Sequence, residues 1–338
     1  MITRYVDSLN SALHEMMSKD DRVLLIGEDV LDPYGGAFKV SRGLSSAFPN
    51  QVISTPISEQ AITGAAIGLA MHGKLPVAEI MFGDFIALCV DQIVNHASKF
   101  SWIYNDQVKV PLVIRTPMGG RRGYGATHSQ SLEAMFMGVP FLSIVAPSHF
   151  HNPGELLKQV VMNEQDPVLF VENKSLYSNR LLSLDHKENG GLYGRIVTQH
   201  NSAYPTISLA MVPDEMPDVT LISYGGMAPI VCEAAQKVFM EEEIIVEVLL
   251  PSLLKPVPVS DFFGSVSRSG NVLVAEEGVI TGGWGAEVSA LVHYCESNFL
   301  KSPIKRIGSK ELPIPSARDL EAATLPSVDD VVKELLSF

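Results

Sequence analysis

Residues 55–85 read TPISEQAITGAAIGLAMHGKLPVAEIMFGDF, and the fold turns on how this stretch divides. The small, apolar run over 61–72 has the character of a closely packed helix, and 77–80 that of a short buried strand leading into Met81-Phe82-Gly83-Asp84-Phe85. The alternation extends both ways. Upstream, Val6, Leu9, Leu13, Met16 and Met17 recur at helical spacing before the strand-like run Val23-Leu24-Leu25-Ile26. Downstream, 86–100 is helical in pattern, and 112–114, 142–145 and 168–171 are further short apolar runs. Helices alternating with buried strands predict an α/β fold with a mainly parallel sheet covered by helices.

Over 176–218 the rhythm gives way to Asn, Gly, His, Ser and Pro; it resumes with strand-like runs at 219–222, 245–248 and 272–275 and helical ones at 229–240 and 284–294. The predicted organisation is an α/β domain over 1–180, an irregular crossover over 181–217 and a smaller α/β domain over 218–338, which suits a chain of 338 residues. Charged residues make up only 19%, pointing to a surface partly covered by a partner. The net charge of −13 opposes a nucleic-acid backbone as that partner. Cys89, Cys232 and Cys295 are too scattered for a disulfide framework or a thiolate zinc site. No run approaches the roughly 20 apolar residues of a membrane span. The first residues show neither the apolar core of a signal peptide nor an arginine-rich presequence, so a cytoplasmic location is expected.

Three segments hold candidate functional residues. Glu59 stands before the small-residue helix, where open α/β sheets bind ligands and the positive helix end favours a carboxylate; on spacing alone it also reads as an ordinary first-turn glutamate. Met81 to Phe85 follow a strand, where apolar and aromatic side chains can clamp a flat heteroaromatic ring, with core packing as the alternative. His128 lies in the glycine-rich loop 116–131 beside Thr127, Ser129 and Gln130, a setting for proton transfer near neutral pH or for a structural histidine. The glycine spacing of that loop fits neither a Rossmann fingerprint nor a P-loop. In 276–287 a second glycine-rich turn follows a strand, but Glu276 and Glu277 in front of it make phosphate unwelcome, so a structural turn is expected.

Taken in order, Leu25-Ile26-Gly27-Glu28-Asp29-Val30, Tyr34-Gly35-Gly36, the Glu59 segment, Met81 to Phe85, Asp91-Gln92-Ile93, His128-Ser129-Gln130-Ser131, Gly282-Gly283-Trp284-Gly285-Ala286-Glu287 and Leu325-Pro326-Ser327 resemble one family. It is the beta subunit of the decarboxylating component of 2-oxo acid dehydrogenase complexes, as in pyruvate, branched-chain 2-oxo acid and acetoin dehydrogenases. The resemblance implies a transketolase-like fold, with an N-terminal pyrimidine-binding domain and a smaller transketolase C-terminal-type domain. It implies thiamine diphosphate as cofactor, shared with an alpha subunit in an α2β2 heterotetramer. The alpha subunit would hold the diphosphate and Mg²⁺ through a Gly-Asp-Gly segment; here Asp84 is followed by Phe85.

By family position Glu59 would hydrogen-bond the pyrimidine ring, carrying or sharing a proton, with Met81 and Phe85 packed on the ring. His128 would bind substrate and protonate the acceptor during acyl transfer to lipoamide on a lipoyl-bearing acyltransferase core. A K⁺ ion held by backbone carbonyls is implied at Leu112, Val161, Met162, Glu164 and Asp166. The expected activity is oxidative decarboxylation of a 2-oxo acid. Two alternatives stay open: a thiamine-dependent acyloin- or ketol-forming transferase subunit, and a non-catalytic scaffold for an alpha-like partner.

Overall fold

The computed structural model describes residues 4–182, 195–199 and 203–338. The strands are β1 (Val23–Gly27), β2 (Val52–Ser54), β3 (Leu75–Glu79), β4 (Val113–Met118), β5 (Ser143–Val145), β6 (Val168–Asn173), β7 (Arg195–Gln199), β8 (Thr206–Ala210), β9 (Val219–Ser223), β10 (Val246–Pro251), β11 (Leu253–Lys255), β12 (Val272–Val279) and β13 (Lys305–Ser309). They form a sheet ordered β11-β5-β6-β4-β3-β1-β2 and another ordered β13-β12-β9-β10-β8-β7. In the first, every neighbour pair is parallel except β11 with β5. In the second, β13, β12, β9 and β10 are mutually parallel, and β8 and β7 extend the edge antiparallel.

Helices cover both faces of the first sheet. On one, Tyr5, Leu9, Leu13 and Met16 of helix Tyr5–Lys19 pack with Leu157 and Val160 of helix Pro153–Asn163. On the other, Ile62, Ala66, Ile67 and Ala70 of helix Glu59–Met71 meet Ile26 and Ala78 of the strands.

The expected irregular crossover over 181–217 is corrected by β7 and β8, which lie within it and belong to the second sheet. In β8 the polar residues that suggested a loop are buried and paired. Thr206 Oγ1 donates to Asp261 Oδ2 at 2.6 Å and Ser208 Oγ to Glu247 Oε1 at 2.7 Å, while Ile207 and Leu209 enter the core. Residues 183–194 and 200–202 of that crossover lie outside the described residues. β11, from beyond residue 218, joins the edge of the first sheet, so the two halves are stitched together. The helix expected over 86–100 is three short pieces of different pitch: a 3-10 helix Gly83–Cys89, a π-helix Gln92–Ala97 and an α-helix Phe100–Ile103.

Near the carboxyl ends of the central strands, Arg115 of β4 is 1% exposed. Its Nε and Nη2 donate to Glu172 of β6 at 2.8 and 2.6 Å, and its Nη1 to Glu79 of β3. Removing the cation leaves two buried carboxylates uncompensated. Arg115→Ala is therefore expected to lower unfolding free energy by about 3–5 kcal/mol in chemical denaturation. A loss below about 1 kcal/mol, the scale of an exposed ion pair, would contradict the buried triad.

Candidate active site

Helix Glu59–Met71 begins at Glu59, with Ser58 as its cap accepting from Ala61 N at 3.4 Å. The Glu59 side chain thus sits in the first turn, at the positive helix end, and is 7% exposed. Its backbone carbonyl is tied down by Thr63 Oγ1 at 2.8 Å and Cys89 Sγ at 3.5 Å. Its carboxyl accepts no hydrogen bond from the described residues.

β1 ends at Gly27, and the next residue, Glu28, is 6% exposed with Oε1 buried and unpartnered. Burial, and after it the negative charge of Glu59, raises the Glu28 carboxyl above its ordinary range. In the sequence Glu28 stands only as part of the Leu25 to Val30 motif; the signal that marks it is its place at a strand's carboxyl end.

Met81 and Phe85 are half-buried on the segment leaving β3, as is His128 on the loop leaving β4. The rings of Phe82 and Phe85 meet the His128 imidazole edge-on, at centroid distances of 4.7 and 5.1 Å. Cys89 connects this cluster to Glu59, its Sγ lying 3.9 Å from Phe85 O. Burial pushes its thiol up to about 11, so it fills space and is no nucleophile. His128 Nδ1 lies 3.0 Å from Thr127 Oγ1. At the foot of the loop, Asp84 Oδ1 accepts from Gln130 N at 3.2 Å and Nε2 at 2.8 Å. Lys174, fully buried behind Phe82, holds Nζ 5.5 Å from that ring and donates to Pro117 O at 3.3 Å; burial lowers it to about 8. Phe82 falls within the candidate segment Met81 to Phe85, whereas no sequence pattern singles out Lys174.

Leu112, Val161, Met162, Glu164 and Asp166 lie around the start of β4, the end of helix Pro153–Asn163 and the turn into β6. The Leu112 carbonyl accepts from Val168 N at 2.9 Å, and the Glu164 carboxylate accepts from the Tyr204 hydroxyl. Among the described residues no three His, Cys, Asp or Glu side chains form a metal-binding group.

Residues 3–180 match the transketolase pyrimidine binding domain, and 209–331 match the transketolase C-terminal domain. The chain is 34% identical over 328 residues to the Arabidopsis thaliana protein "Pyruvate dehydrogenase E1 component subunit beta-1, mitochondrial", covering 97% of this chain and 86% of that one. It is 33% identical to the Bacillus subtilis "Acetoin:2,6-dichlorophenolindophenol oxidoreductase subunit beta", covering 98% and 96%. The chain belongs to the transketolase-fold family of E1 beta subunits. A solved structure titled "Split gene transketolase, inactive beta4 tetramer" superposes with a TM-score of 0.74 over 98% of this chain and 96% of that one, at 21% identity, and bears on the fold alone. In this E1 beta subunit Glu28, Glu59, Met81, Phe85 and His128 all fall within the pyrimidine-domain match.

The raised Glu28 carboxyl gives a pH signature. A carboxyl whose folded pKa lies above its unfolded one costs nothing below the unfolded value and destabilises the fold as pH rises through the folded value. Glu28→Gln is therefore expected to melt like the parent chain near pH 4 and above it at pH 7.5. Equal melting temperatures at both pH values would show that Glu28 is not held above its ordinary range.

Proposed function

We propose that this E1 beta subunit contributes the pyrimidine half of a thiamine-diphosphate site that oxidatively decarboxylates a 2-oxo acid. The observation that carries this reading is Glu59: a nearly buried carboxyl at a helix N-terminus, hydrogen-bonded by no described residue, beside Glu28, whose Oε1 is buried without a partner, and joined through Cys89 to a cluster of rings. That arrangement fits a flat ring whose nitrogen takes a hydrogen bond. When bound, thiamine diphosphate supplies the carbon nucleophile and the electron sink for decarboxylation.

This chain's residues hold and orient. Glu59 presents its carboxyl to the ring nitrogen as a hydrogen-bond partner, beside Glu28, whose own carboxyl is raised by burial and by the charge of Glu59. Phe85 and Met81 fix the ring plane by dispersion and exclude water. His128, edge-on to Phe82 and Phe85, is steered toward substrate and carries the proton needed when the acyl group passes to lipoamide.

An alpha subunit in an α2β2 assembly holds the diphosphate and Mg²⁺ in this reading. Of the Asp84 carboxylate, Oδ1 is committed to Gln130 and Oδ2 is buried without a partner. K⁺ would rest on the carbonyls of Leu112, Val161, Met162, Glu164 and Asp166. Docking to a lipoyl-bearing core and a cytoplasmic location belong to the same proposal. No helix among the described residues is long and apolar enough to cross a membrane.

Purified with its alpha partner, the protein is expected to reduce lipoamide with a 2-oxo acid; release of a carbon–carbon condensation product instead would favour the transferase alternative. Glu59→Gln should lower thiamine-dependent turnover by about 100-fold or more with the assembly intact, and near-parent activity would remove Glu59 from the mechanism. His128→Ala should slow lipoamide acylation more than decarboxylation read with an artificial oxidant. Equal losses in both assays would refute its separate role.

A further inference from the structure

Between Gly120 and Gly123 the loop carrying His128 is tied down by the second domain, and beyond His128 it is tied at Gln130 by Asp84. Gly119, Gly120, Gly123 and Gly125 give it wide conformational freedom, which must be restrained before an imidazole can be positioned on it. Glu277, toward the carboxyl end of β12, accepts from Gly120 N at 2.6 Å, and Asn173 Nδ2 braces its other oxygen at 3.4 Å. Glu321, in helix Arg318–Thr324, accepts from Gly123 N at 3.0 Å. Arg121, held at φ +67, donates to Pro326 O at 2.7 Å and lies 3.7 Å from Glu277 Oε2. Glu277 and Glu321 are 5% and 4% exposed, so both acceptors are buried carboxyls, with the Gly120 bond itself buried and the Gly123 bond partly so.

The fit is close. A Cβ at Gly119 would come within 2.7 Å of Glu277 Oε1, and one at Gly120 within 2.6 Å of Leu325 Cδ1. Ser316 backs both Gly123 and Gly125. Two sequence motifs that the cofactor reading left unused, Glu276-Glu277 before the glycine turn and Leu325-Pro326-Ser327 near the chain end, thereby acquire a purpose.

We propose that Glu277 and Glu321 are positioning residues that act through the glycine loop to set the place of His128, so that the second domain governs acyl transfer as well as assembly. Arg121 is the third tie, and its bond to Pro326 O holds an otherwise unfavourable left-handed residue. The catalytic consequence rests on the reading of His128 given above; the structural one does not.

The test uses the assembled enzyme with its alpha subunit and the variants Glu277→Ala, Glu321→Ala, Glu321→Gln, Arg121→Ala and His128→Ala. Amide exchange across 119–131 and carbethoxylation of His128 by diethylpyrocarbonate report the loop directly. The ratio of lipoamide turnover to artificial-oxidant turnover reports acyl transfer. We expect the alanine variants at 277, 321 and 121 to accelerate loop exchange and His128 modification and to lower the turnover ratio in the direction of His128→Ala, by up to about 100-fold. Glu321→Gln keeps an acceptor for Gly123 N and should recover most of the ratio. Unchanged exchange and modification would overturn the proposal whatever His128→Ala does. A loosened loop with an unshifted ratio would also overturn it if His128→Ala shifts the ratio. Should His128→Ala itself leave the ratio unmoved, the acyl-transfer role fails instead, and exchange and modification alone decide whether the second domain positions His128.

Discussion

The guanidinium of Arg115, lodged between Glu172 and Glu79, is the contact on which the first domain depends. It joins three neighbouring strands, and Arg115 and Glu79 are register partners. Buried charges are tolerated only when compensated on every side. Tyr177 donates to Glu172 Oε2 at 2.6 Å, and Ser41 donates to Glu79 Oε2 at 3.3 Å. A slip of one residue in β4 would turn Arg115 to the opposite face of the sheet and strand both carboxylates. The Tyr34-Gly35-Gly36 segment closes over this triad. Gly36 has φ +75, and a Cβ there would stand 2.7 Å from Glu79 Oε1.

Because β1, β3 and β4 are parallel, their carboxyl ends share one edge, and the segments that leave them carry Glu28, Met81 to Phe85 and His128 together. Packing then links the charged triad to that edge. Tyr177 stacks on Phe38 at 5.1 Å, Phe38 meets Phe82 at 5.5 Å, and Phe82 meets His128 at 4.7 Å. The rings near Glu59 are the outer end of a column rooted in the core, which explains how half-exposed aromatics can hold a fixed geometry. Of the two readings that the sequence left open for Met81 to Phe85, packing is the one seen in these ring contacts, and a rigid clamp of the kind proposed would rest on it.

The parallel core was legible because its strands are continuous apolar runs, as doubly covered strands must be. What escaped was structure whose interior is polar or whose partner is distant. β8 hid behind Thr206 and Ser208, whose buried hydroxyls are answered by Asp261 and Glu247 far along the chain. β11 has three residues and pairs across the domain boundary, a length at which no periodicity can register. Glu59, Phe85 and His128 stood out because each follows a strand or opens a helix. Glu277 and Glu321 did not, because a carboxylate that caps another segment's backbone N–H carries no local pattern. Their function becomes visible only when Gly120 and Gly123 are seen in place.

The surface near this edge is costly for a solitary chain. Ile57, two residues before Glu59, is 84% exposed, and Leu88, in the 3-10 helix that carries Phe85, is 51% exposed. Away from that edge, Trp102 is 72% exposed yet lies flat on Phe141, just before β5 begins, with centroids 6.0 Å apart and planes 19° apart. Phe141 keeps that place with φ +56, a left-handed conformation that costs an L-residue about 1–2 kcal/mol. A ring pair ordered against water at such a cost gains little from solvent, whereas a covering subunit would bury both faces of it. The same reasoning applies to Glu59. In the proposed function a carboxyl at this end of the sheet, near rings and exposed apolar residues, would form one wall of the site, and a second polypeptide is the economical source of the opposite wall.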